Sequence, residues 1–441
     1  MNNRLAPRLR WVGISLIILS ICLPCFAVLP QNLPDFSWGL VALLRSLFLM
    51  PFLLGLGLLC LLISLLLEKK HIAATLVASV CVLAVVFGGL FLRTVFFFPV
   101  PHAPQIPEQL KRAGVLKGED TVSKSSFYVR SALGVITDFA LDQSGQLAIA
   151  GLKGAAFIDS GHSLRKVLSF ERCYSSVSLV FQPDGNVSAF LCRGSWIQSA
   201  QLSSVDGKTL WSYGGNGLGV DDAVVANFGG NETDYVVGFN GDGGVHLLDS
   251  TGKRVWRYGD GNVWHVEVVN DGVHPEPVIV HSNGRGVLTI RDKNGKVLQR
   301  NPTEVYLGNF SLVSWGPGNR RDKLITADAD HVYIISLDGK TIATLTSGIS
   351  EKGGKAITYG IPLETTAGTY FAVLQRYELW DRSLLEIFDA QNQPIYVEVF
   401  AESCGALQAL KERELSNGFI VGCDGKVWRY RIGADGVADR H

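Results

Sequence analysis

The sequence predicts an all-β, seven-bladed β-propeller with four-stranded antiparallel blades, preceded by an α-helical transmembrane region of three helices. From about residue 127 onward, short apolar runs alternate with Gly, Asn and Asp clusters that favour tight turns. One turn position also recurs at Gly161, Gly207, Gly252, Gly295, Gly339, Asn392 and Gly436. A four-stranded unit repeated every ~40 to 50 residues is typical of propeller blades. Seven turn positions therefore predict seven blades.

The clearest repeat lies between Asp221 and Gly261. It contains four apolar runs, AVVANF, DYVVGF, GVHLLD and RVWRY, each bounded by turn-forming residues. We expect these runs to form the four strands of one blade. A turn of the type D-x-x-G-K precedes the fourth run, at Asp249–Lys253, and similar turns occur in the neighbouring repeats.

The composition argues for membrane segments and against a nucleic-acid partner. Hydrophobic residues make up 47% of the 441 residues and charged residues only 18%, which is too apolar for a purely soluble chain. Lys and Arg together number 40, as do Asp and Glu, so the chain has no basic excess for binding nucleic acid. Most of the apolar excess lies in the first 98 residues.

Residues 1–98 are predicted to be a membrane anchor. Its three apolar segments, at about 11–29, 47–67 and 72–92, each reach the ~20 residues that a bilayer-spanning helix needs. Arg and Lys precede the first segment and lie between the second and third. The positive-inside rule then predicts a cytoplasmic N terminus and a periplasmic propeller, on the bacterial inner membrane. Alternatively, the first segment is a cleaved signal peptide.

Two arginines are predicted to lie at the membrane interface. Arg45 and Arg93 are the charged residues near the ends of the second and third segments. Long basic side chains in such positions reach the interface at small cost, so we interpret both as snorkelling. The alternative is that they meet an acidic partner helix.

A Pro-rich linker, 99–126, is predicted to join the anchor to the propeller, 127–441. The last repeat ends too soon for a good fourth strand, so we expect strand 127–131 to complete blade seven and close the ring. The linker would then enter on the face opposite the longer loops. The other six blades are predicted at Val135–Phe170, Ser176–Tyr213, Ala223–Tyr258, Trp264–Arg300, Ser311–Leu345 and Thr358–Phe400.

Four cysteines in the propeller region form two pairs with the same spacing. Cys173 and Cys192, like Cys404 and Cys423, are 19 residues apart, and each pair spans the first two strands of a blade. Antiparallel neighbours place those two positions side by side. We therefore predict a disulfide within each pair, as suits an oxidising compartment.

The repeats GFNGDGGVHLLDSTGKRVW and SLDGKTIATL resemble those of quinoprotein-like (PQQ-like) β-propellers, and NFGGNETDYVVGFNGDGG is similar to FG-GAP repeats, whose acidic loops can bind calcium. The resemblance implies a propeller and makes PQQ or calcium possible cofactors. However, the chain has no neighbouring cysteine pair of the kind that caps PQQ in quinoprotein dehydrogenases. Asn227, Asn231 and Asp234 offer few oxygens for calcium, so we predict a tight turn and no cofactor.

No group of residues predicts catalysis. His265 and Glu267 share one face of an alternating strand, which favours a hydrogen-bonded structural pair over an acid–base pair. The Gly-rich segments precede strands and thus lack the helix N terminus that a phosphate-binding loop requires. We predict no catalytic residues.

The predicted binding site is the propeller face that carries the loops between strands two and three and between successive blades. Arg and aromatic residues on inserted loops are typical of protein interfaces. The candidate residues are Tyr258, Asp260, Trp264, Arg376, Tyr377, Trp380 and Arg382.

These observations predict a membrane-anchored periplasmic scaffold, or an accessory subunit of an envelope complex, that binds other membrane or periplasmic proteins. Two alternatives remain at this point. One is a quinoprotein-like oxidoreductase linked to the membrane, and the other is a sensor that binds a small ligand or sugar in the propeller channel.

Overall fold

A computed structural model of the 441-residue chain separates into two compact units, Met1–Ala103 and Pro104–His441. The structure describes residues 11–12, 14–16, 58–60, 62–63 and 106–433, the last with gaps at 119–121, 129–130, 142–145, 160–163, 170–172, 195–197, 215–218, 230–232, 284–285, 306, 308, 317–319, 350–356, 366–367, 378–380 and 413–414.

The predicted membrane anchor lies almost entirely outside the described residues. This applies to the three segments at about 11–29, 47–67 and 72–92, and to Arg45 and Arg93. Within the part of the chain that the structure describes, no helix is long and apolar enough to cross a membrane.

The second unit is the predicted seven-bladed propeller. Its described residues form seven antiparallel sheets, and contacts between the first strands of successive blades, including the last and the first, arrange them in a ring. The unit begins with helix α1 (Glu108–Lys111) and strands β1 (Gly114–Lys117) and β2 (Val122–Tyr128), followed by a short 3-10 helix, Ser131–Leu133.

The blades follow in chain order. Blade 1 contains β3 (Ile136–Leu141), β4 (Leu147–Gly151), β5 (Gly154–Ile158) and β6 (Leu164–Ser169); blade 2 contains β7 (Val177–Phe181), β8 (Val187–Cys192), β9 (Ala200–Ser204) and β10 (Thr209–Tyr213). Blade 3 contains β11 (Val220–Ala226), β12 (Asp234–Phe239), β13 (Gly244–Leu248) and β14 (Arg254–Tyr258); blade 4 contains β15 (Val263–Val269), β16 (Val278–Asn283), β17 (Val287–Arg291) and β18 (Val297–Pro302). Blade 5 contains β19 (Ser311–Ser314), β20 (Arg321–Ala327), β21 (His331–Ile335) and β22 (Thr341–Thr346); blade 6 contains β23 (Ile357–Thr365), β24 (Gly368–Tyr377), β25 (Arg382–Phe388) and β26 (Pro394–Phe400); blade 7 contains β27 (Ala406–Glu412), β28 (Leu415–Gly422) and β29 (Lys426–Ile432).

Burial falls from the middle of each blade to its rim. In blade 3, all five residues of β13 are buried, whereas four of the five residues of β14 are exposed. The middle strands pack against neighbouring blades on both faces, which explains their continuous apolar runs. Outer strands need little apolar sequence, so their sequence signal is weaker.

The ring is closed by β2, which pairs with β29 as the fourth strand of blade 7. The pairing runs from Val122 opposite Ile432 to Tyr128 opposite Lys426. The strand therefore lies earlier than the predicted 127–131. Its first part, VSKSS, is polar because an outer strand pairs on one side and exposes its side chains, and this polarity concealed it within the predicted linker.

A second part of the predicted linker, β1, adds a fifth strand to blade 6 by pairing with β26. Just before it, Leu110 of α1 is fully buried against Ile349 and Tyr377. The segment 99–126 is thus folded over a large part of its length rather than serving only as a linker.

This extra strand changes the side on which the chain enters the ring. We call the face with the turns between strands three and four, such as Asp249–Lys253, the turn face, and the face with the connections between blades, such as 259–262, the loop face. Because β1 runs antiparallel to β26, it begins on the loop face, where β26 ends. The chain therefore enters on the loop face, contrary to our expectation, because one more strand precedes the closing strand.

The D-x-x-G-K turns reverse the chain and also pack against the neighbouring blade. In blade 3, Asp249 Oδ1 accepts hydrogen bonds from the backbone N–H groups of Thr251 and Lys253, at 2.9 and 3.0 Å. Gly252 has φ of +80°, and a Cβ there would lie 2.5 Å from the ring of Trp211 in blade 2. Only glycine satisfies both the left-handed backbone and the close approach of the ring.

Both predicted disulfides are present. Cys173 bonds to Cys192 with a Cα–Cα distance of 5.7 Å, and Cys404 bonds to Cys423 with a Cα–Cα distance of 3.8 Å. In each pair, one cysteine precedes the first strand of a blade and the other lies at the end of the second strand. The equal spacing of the pairs thus reflects equal positions in two blades.

Candidate functional site

The hairpin of β23 and β24 contains the two longest strands among the described residues. The two strands have 9 and 10 residues and pair along their whole length, from Ile357 opposite Arg376 to Thr365 opposite Gly368. Strand β25 pairs only with Phe371–Tyr377. Residues Gly368–Tyr370 therefore continue beyond the rest of the blade, and the hairpin projects from the turn face.

A cleft of about 510 Å³ lies beside this hairpin, between blades 5 and 6. Its lining includes Trp315, Glu364, Tyr370, Phe371, Asp389 and Asn392. The rings of Trp315 and Phe371 meet edge to face with centroids 4.7 Å apart, which fixes the apolar wall. We call the hairpin 357–377 and this cleft the hairpin site.

The hairpin site has the composition of a surface that binds other molecules. Aromatic side chains provide rigid apolar area, and Glu364 and Asp389 add negative charge at its edge. Cationic side chains bind favourably over aromatic faces and beside carboxylates. The site therefore suits an extended segment with apolar and basic side chains.

A buried ion cluster links blades 2, 3 and 4 next to the central channel. Both Arg193 and His265 contact the carboxylate of Asp222, Arg193 through Nε at 2.7 Å and Nη2 at 2.8 Å, and His265 through Nδ1 at 2.5 Å. Asp222 also accepts a hydrogen bond from the N–H of Val266, at 3.1 Å. His265 Nε2 lies 3.4 Å from Glu267 Oε1. A structural role for the His265–Glu267 pair stays a prediction.

The cluster keeps His265 protonated at neutral pH. Burial acts to lower the pKa of His265, but the negative charge of Asp222 and hydrogen bonds to Asp222 and Glu267 outweigh it and raise the pKa to about 9. Burial acts to raise the pKa of Asp222, and the charges of Arg193 and His265 reverse that effect and lower it. The positive charges of Arg193 and His265 are balanced by the negative charges of Asp222 and Glu267, and these contacts join three blades.

A second ion cluster holds two of the predicted binding residues, Tyr258 and Asp260. The guanidinium of Arg291 donates to Asp260 and lies over the ring of Tyr258, 4.7 Å from its centroid. Arg300 and His281 also reach Asp260, at 3.1 and 3.3 Å. Burial acts to raise the pKa of Asp260, but hydrogen bonds from His281 and Arg291 lower it to about 2. Tyr258 is 40% exposed. The carboxylate of Asp260, by contrast, is already bound by side chains of blade 4.

Arg376 and Tyr377 are buried, not displayed on an exposed loop as predicted. Arg376 is 5% exposed, and its Nη1 donates to the carbonyl of Ser175, two residues before β7 of blade 2, at 3.3 Å. Tyr377 is also 5% exposed and packs against Leu110 of α1. The physical reason is that both residues end strand β24, and the N-terminal segment covers this part of blade 6.

The other predicted binding residues, Trp264, Trp380 and Arg382, are not placed beside Arg376 and Tyr377 on a common exposed surface in the described part of the chain. Trp264 is partly buried within β15, and Trp380 lies outside the described residues. Arg382 Nη1 donates to the carbonyls of Asp381 and Ala401, at 2.9 and 2.8 Å. A role of these residues in binding stays a prediction, and the described ones are not gathered into one exposed surface.

The calcium-type loop is a turn at its described positions. Asn227 Oδ1 accepts a hydrogen bond from the N–H of Gly229, at 2.9 Å. Residues 230–232, including Asn231, lie outside the description. Within the described chain, no three His, Cys, Asp or Glu side chains are grouped so as to hold a metal ion.

The hairpin site could have been found from the sequence. The turn positions Gly339 and Asn392 are farther apart than any other neighbouring pair, and we assigned the extra length to Arg376–Arg382. Much of it lies instead in the longer β23–β24 hairpin, where apolar residues extend on both sides of Thr366-Ala367. By contrast, no sequence spacing links Arg193, Asp222 and His265, because they come from three blades.

Comparison with known proteins adds the following. No family model matches the chain, and no curated protein matches it. Among solved structures, the chain is similar to BBS1N from a complex with ARL6DN, at 12% identity and a TM-score of 0.46, covering 74% of this chain and 98% of that one. It is similar to virginiamycin B lyase from Staphylococcus aureus, at 9% identity and a TM-score of 0.46, covering 71% and 100%. It is also similar to BamB from Moraxella catarrhalis, at 16% identity and a TM-score of 0.42, covering 71% and 98%. Identities and TM-scores this low carry no argument about function.

Proposed function

We propose that this propeller is a protein-binding scaffold whose partner docks at the hairpin site. The observation that carries the proposal is the extension of β24 beyond β25, which presents Gly368–Tyr370 next to an aromatic and acidic cleft. A hairpin whose strands are paired along their length loses little conformational entropy when it binds. Moreover, the loop face of blade 6 is occupied by α1, whereas the hairpin site lies on the opposite face.

We further propose that the scaffold is anchored in the bacterial inner membrane and lies in the periplasm, where it serves an envelope complex. The three apolar segments before residue 98 and the distribution of Arg and Lys around them support this location. The two disulfides support it as well, since such bonds persist in oxidising compartments. Its partners would be other membrane or periplasmic proteins.

Reporter fusions test the proposed location. We expect a fusion at residue 71 to report the cytoplasm and a fusion at the C terminus to report the periplasm, because Lys69 and Lys70 favour retention of their loop inside. Alkaline phosphatase activity and fluorescence of a cytoplasmic reporter give the readout. If both fusions report the same side, the proposed topology is wrong.

Substitution at the hairpin tests the docking site. We expect Thr369→Arg to reduce recovery of the partner at least tenfold in affinity purification from a mild detergent extract. Thr369 is exposed where the hairpin continues beyond β25, so the added bulk and positive charge would block and repel a basic segment. Quantitative mass spectrometry of the recovered proteins measures the loss.

Thr344→Arg is the matched control. Thr344 is also exposed, but it lies on the outer strand of blade 5, β22. Both variants should retain the wild-type melting temperature, because exposed positions contribute little to stability. The docking site is refuted if Thr369→Arg recovers the same proteins as Thr344→Arg in the same amounts.

A further inference from the structure

The central channel contains a second candidate site, independent of the hairpin site. It encloses about 490 Å³ and is lined by the first strands of all seven blades. This volume falls in the range of small-molecule pockets, roughly 300–1,000 Å³. The surrounding strands are fixed by pairing within each blade, so the channel is a preformed cavity.

Its charges come from blades 1, 2, 4 and 5. Asp138, Arg193, Glu267 and Arg321 contribute to the lining, whereas blades 6 and 7 contribute uncharged residues such as Tyr359 and Leu407. The cavity thus presents a charged wall opposite a neutral wall. A ligand with both charges and an apolar part would match this arrangement.

Two of the four charged groups are already compensated. Arg193 forms a two-point ion pair with Asp222, and Glu267 lies 3.4 Å from the protonated ring of His265. These contacts belong to the ion cluster that joins blades 2, 3 and 4. They leave Asp138 and Arg321 to be explained.

The carboxylate of Asp138 has no cationic partner at ion-pair distance among the described residues. Its oxygens accept hydrogen bonds from the N–H groups of Phe139 and Leu179, at 2.9 and 2.8 Å, and no described residue forms an ion pair with it. Burial raises the pKa of Asp138 to about 6, even though Arg321 and Arg193 act to lower it. The side chain keeps some access to the channel, so an ammonium group bound there would supply the missing charge.

Arg321 likewise has no anionic partner at ion-pair distance among the described residues. Its Nη2 donates to the carbonyl of Leu312, at 3.2 Å, and among the described residues no carboxylate lies within ion-pair distance. The guanidinium has further donors, in a planar arrangement that matches a carboxylate. A cation and an anion of the protein therefore border the same cavity, each without a direct partner of opposite charge.

We propose that the channel binds a small zwitterion of the α-amino acid type, with its ammonium group at Asp138 and its carboxylate at Arg321. The neutral wall formed by blades 6 and 7 would contact the side chain of the ligand. Such a ligand supplies both missing charges at once, whereas a simple cation or anion leaves one protein group uncompensated. The channel would then sense an amino acid independently of what binds at the hairpin.

Calorimetry on the full chain in detergent tests this inference. The probes are the free proteinogenic amino acids, followed by the N-acetyl and the amide derivative of the best one, which lack the ammonium charge and the carboxylate respectively. We expect measurable binding of at least one free amino acid and at least tenfold weaker binding of each derivative. Binding should also weaken as the pH falls below about 6, where Asp138 becomes protonated.

Two variants locate the charges. Arg321→Gln should bind the free amino acid at least tenfold more weakly and should no longer distinguish it from its amide. Asp138→Asn should likewise lose the distinction from the N-acetyl derivative. Because Arg321 is exposed, Arg321→Gln should fold normally. This variant therefore still tests the inference if Asp138→Asn does not fold. The inference is overturned if no amino acid binds, if either derivative binds as well as the free acid, or if folded Arg321→Gln binds like the wild type.

Discussion

Replacing Glu398 by alanine is expected to open the ring where its two ends meet. Lys124 of β2 donates to Glu398 Oε1 at 2.7 Å, and the hydroxyls of Tyr396 and Tyr430 donate to Oε2 at 2.6 and 2.8 Å. Glu398 lies in blade 6, so its carboxylate ties the closing strand and blade 7 to the blade before them. Each buried hydroxyl that loses its acceptor costs roughly 1–3 kcal/mol. We expect the free energy of unfolding to fall by about 2–5 kcal/mol, with faster trypsin cleavage at Lys124.

Two further variants make this expectation specific. Glu398→Gln keeps an acceptor for the tyrosines and removes the charge, so it should cost less than alanine. Glu108→Ala removes an exposed ion pair with Lys111 and should cost at most about 1 kcal/mol. Denaturant unfolding measures all three. If Glu398→Ala unfolds like Glu108→Ala, then the carboxylate does not secure the closure.

Removal of the Asp222 carboxylate is expected to destabilise the propeller about as strongly. Asp222→Ala leaves Arg193 and His265 buried with no anion between them and leaves the N–H of Val266 without its acceptor. Breaking a buried ion pair from one side costs roughly 3–5 kcal/mol. The exposed pair of Asp338 and Lys340 provides the control, and Asp338→Ala should cost at most about 1 kcal/mol. Equal unfolding midpoints for the two alanine variants would contradict this expectation.

The same cluster predicts how stability depends on pH. His265 holds its proton up to a pKa of about 9 in the folded protein, against 6.5 when unfolded, so its contribution is complete below pH 6.5 and is lost as the pH rises through 9. Burial raises the pKa of Glu386 to about 7, from 4.5, so the stability that its protonated form contributes is lost as the pH rises through 7, equally in the wild type and in His265→Gln. Between pH 7 and 9, wild-type stability should therefore fall more steeply than that of His265→Gln.

The sequence predicted those features that depend on local spacing. Equal spacing placed Cys173–Cys192 and Cys404–Cys423 correctly, because each pair lies within one blade. Recurring turn residues such as Gly252 predicted the blades because only glycine fits there. The sequence correctly predicted that a strand before blade 1 closes blade 7, but it placed this strand at 127–131 instead of Val122–Tyr128. The error arose because a polar outer strand has little sequence signal.

Features that depend on contacts between distant parts of the chain were not predicted. Tyr377 carries the residue type of an interface, yet Leu110, far away in sequence, covers it. The carboxylate of Asp222 acquires its role only when blades 2, 3 and 4 bring Arg193 and His265 to it. Composition and spacing describe a single blade well, whereas burial and pairing across the ring require the fold.

Docking at the hairpin site is tested most directly by photo-crosslinking in living cells. A photoreactive amino acid replaces Thr369 on the hairpin in one strain and Thr344 on the outer strand of blade 5 in another. We expect irradiation to give a discrete adduct between the chain and one other protein from position 369 and none from position 344. Absence of an adduct at position 369, or the same adducts from both positions, would contradict docking at the hairpin site.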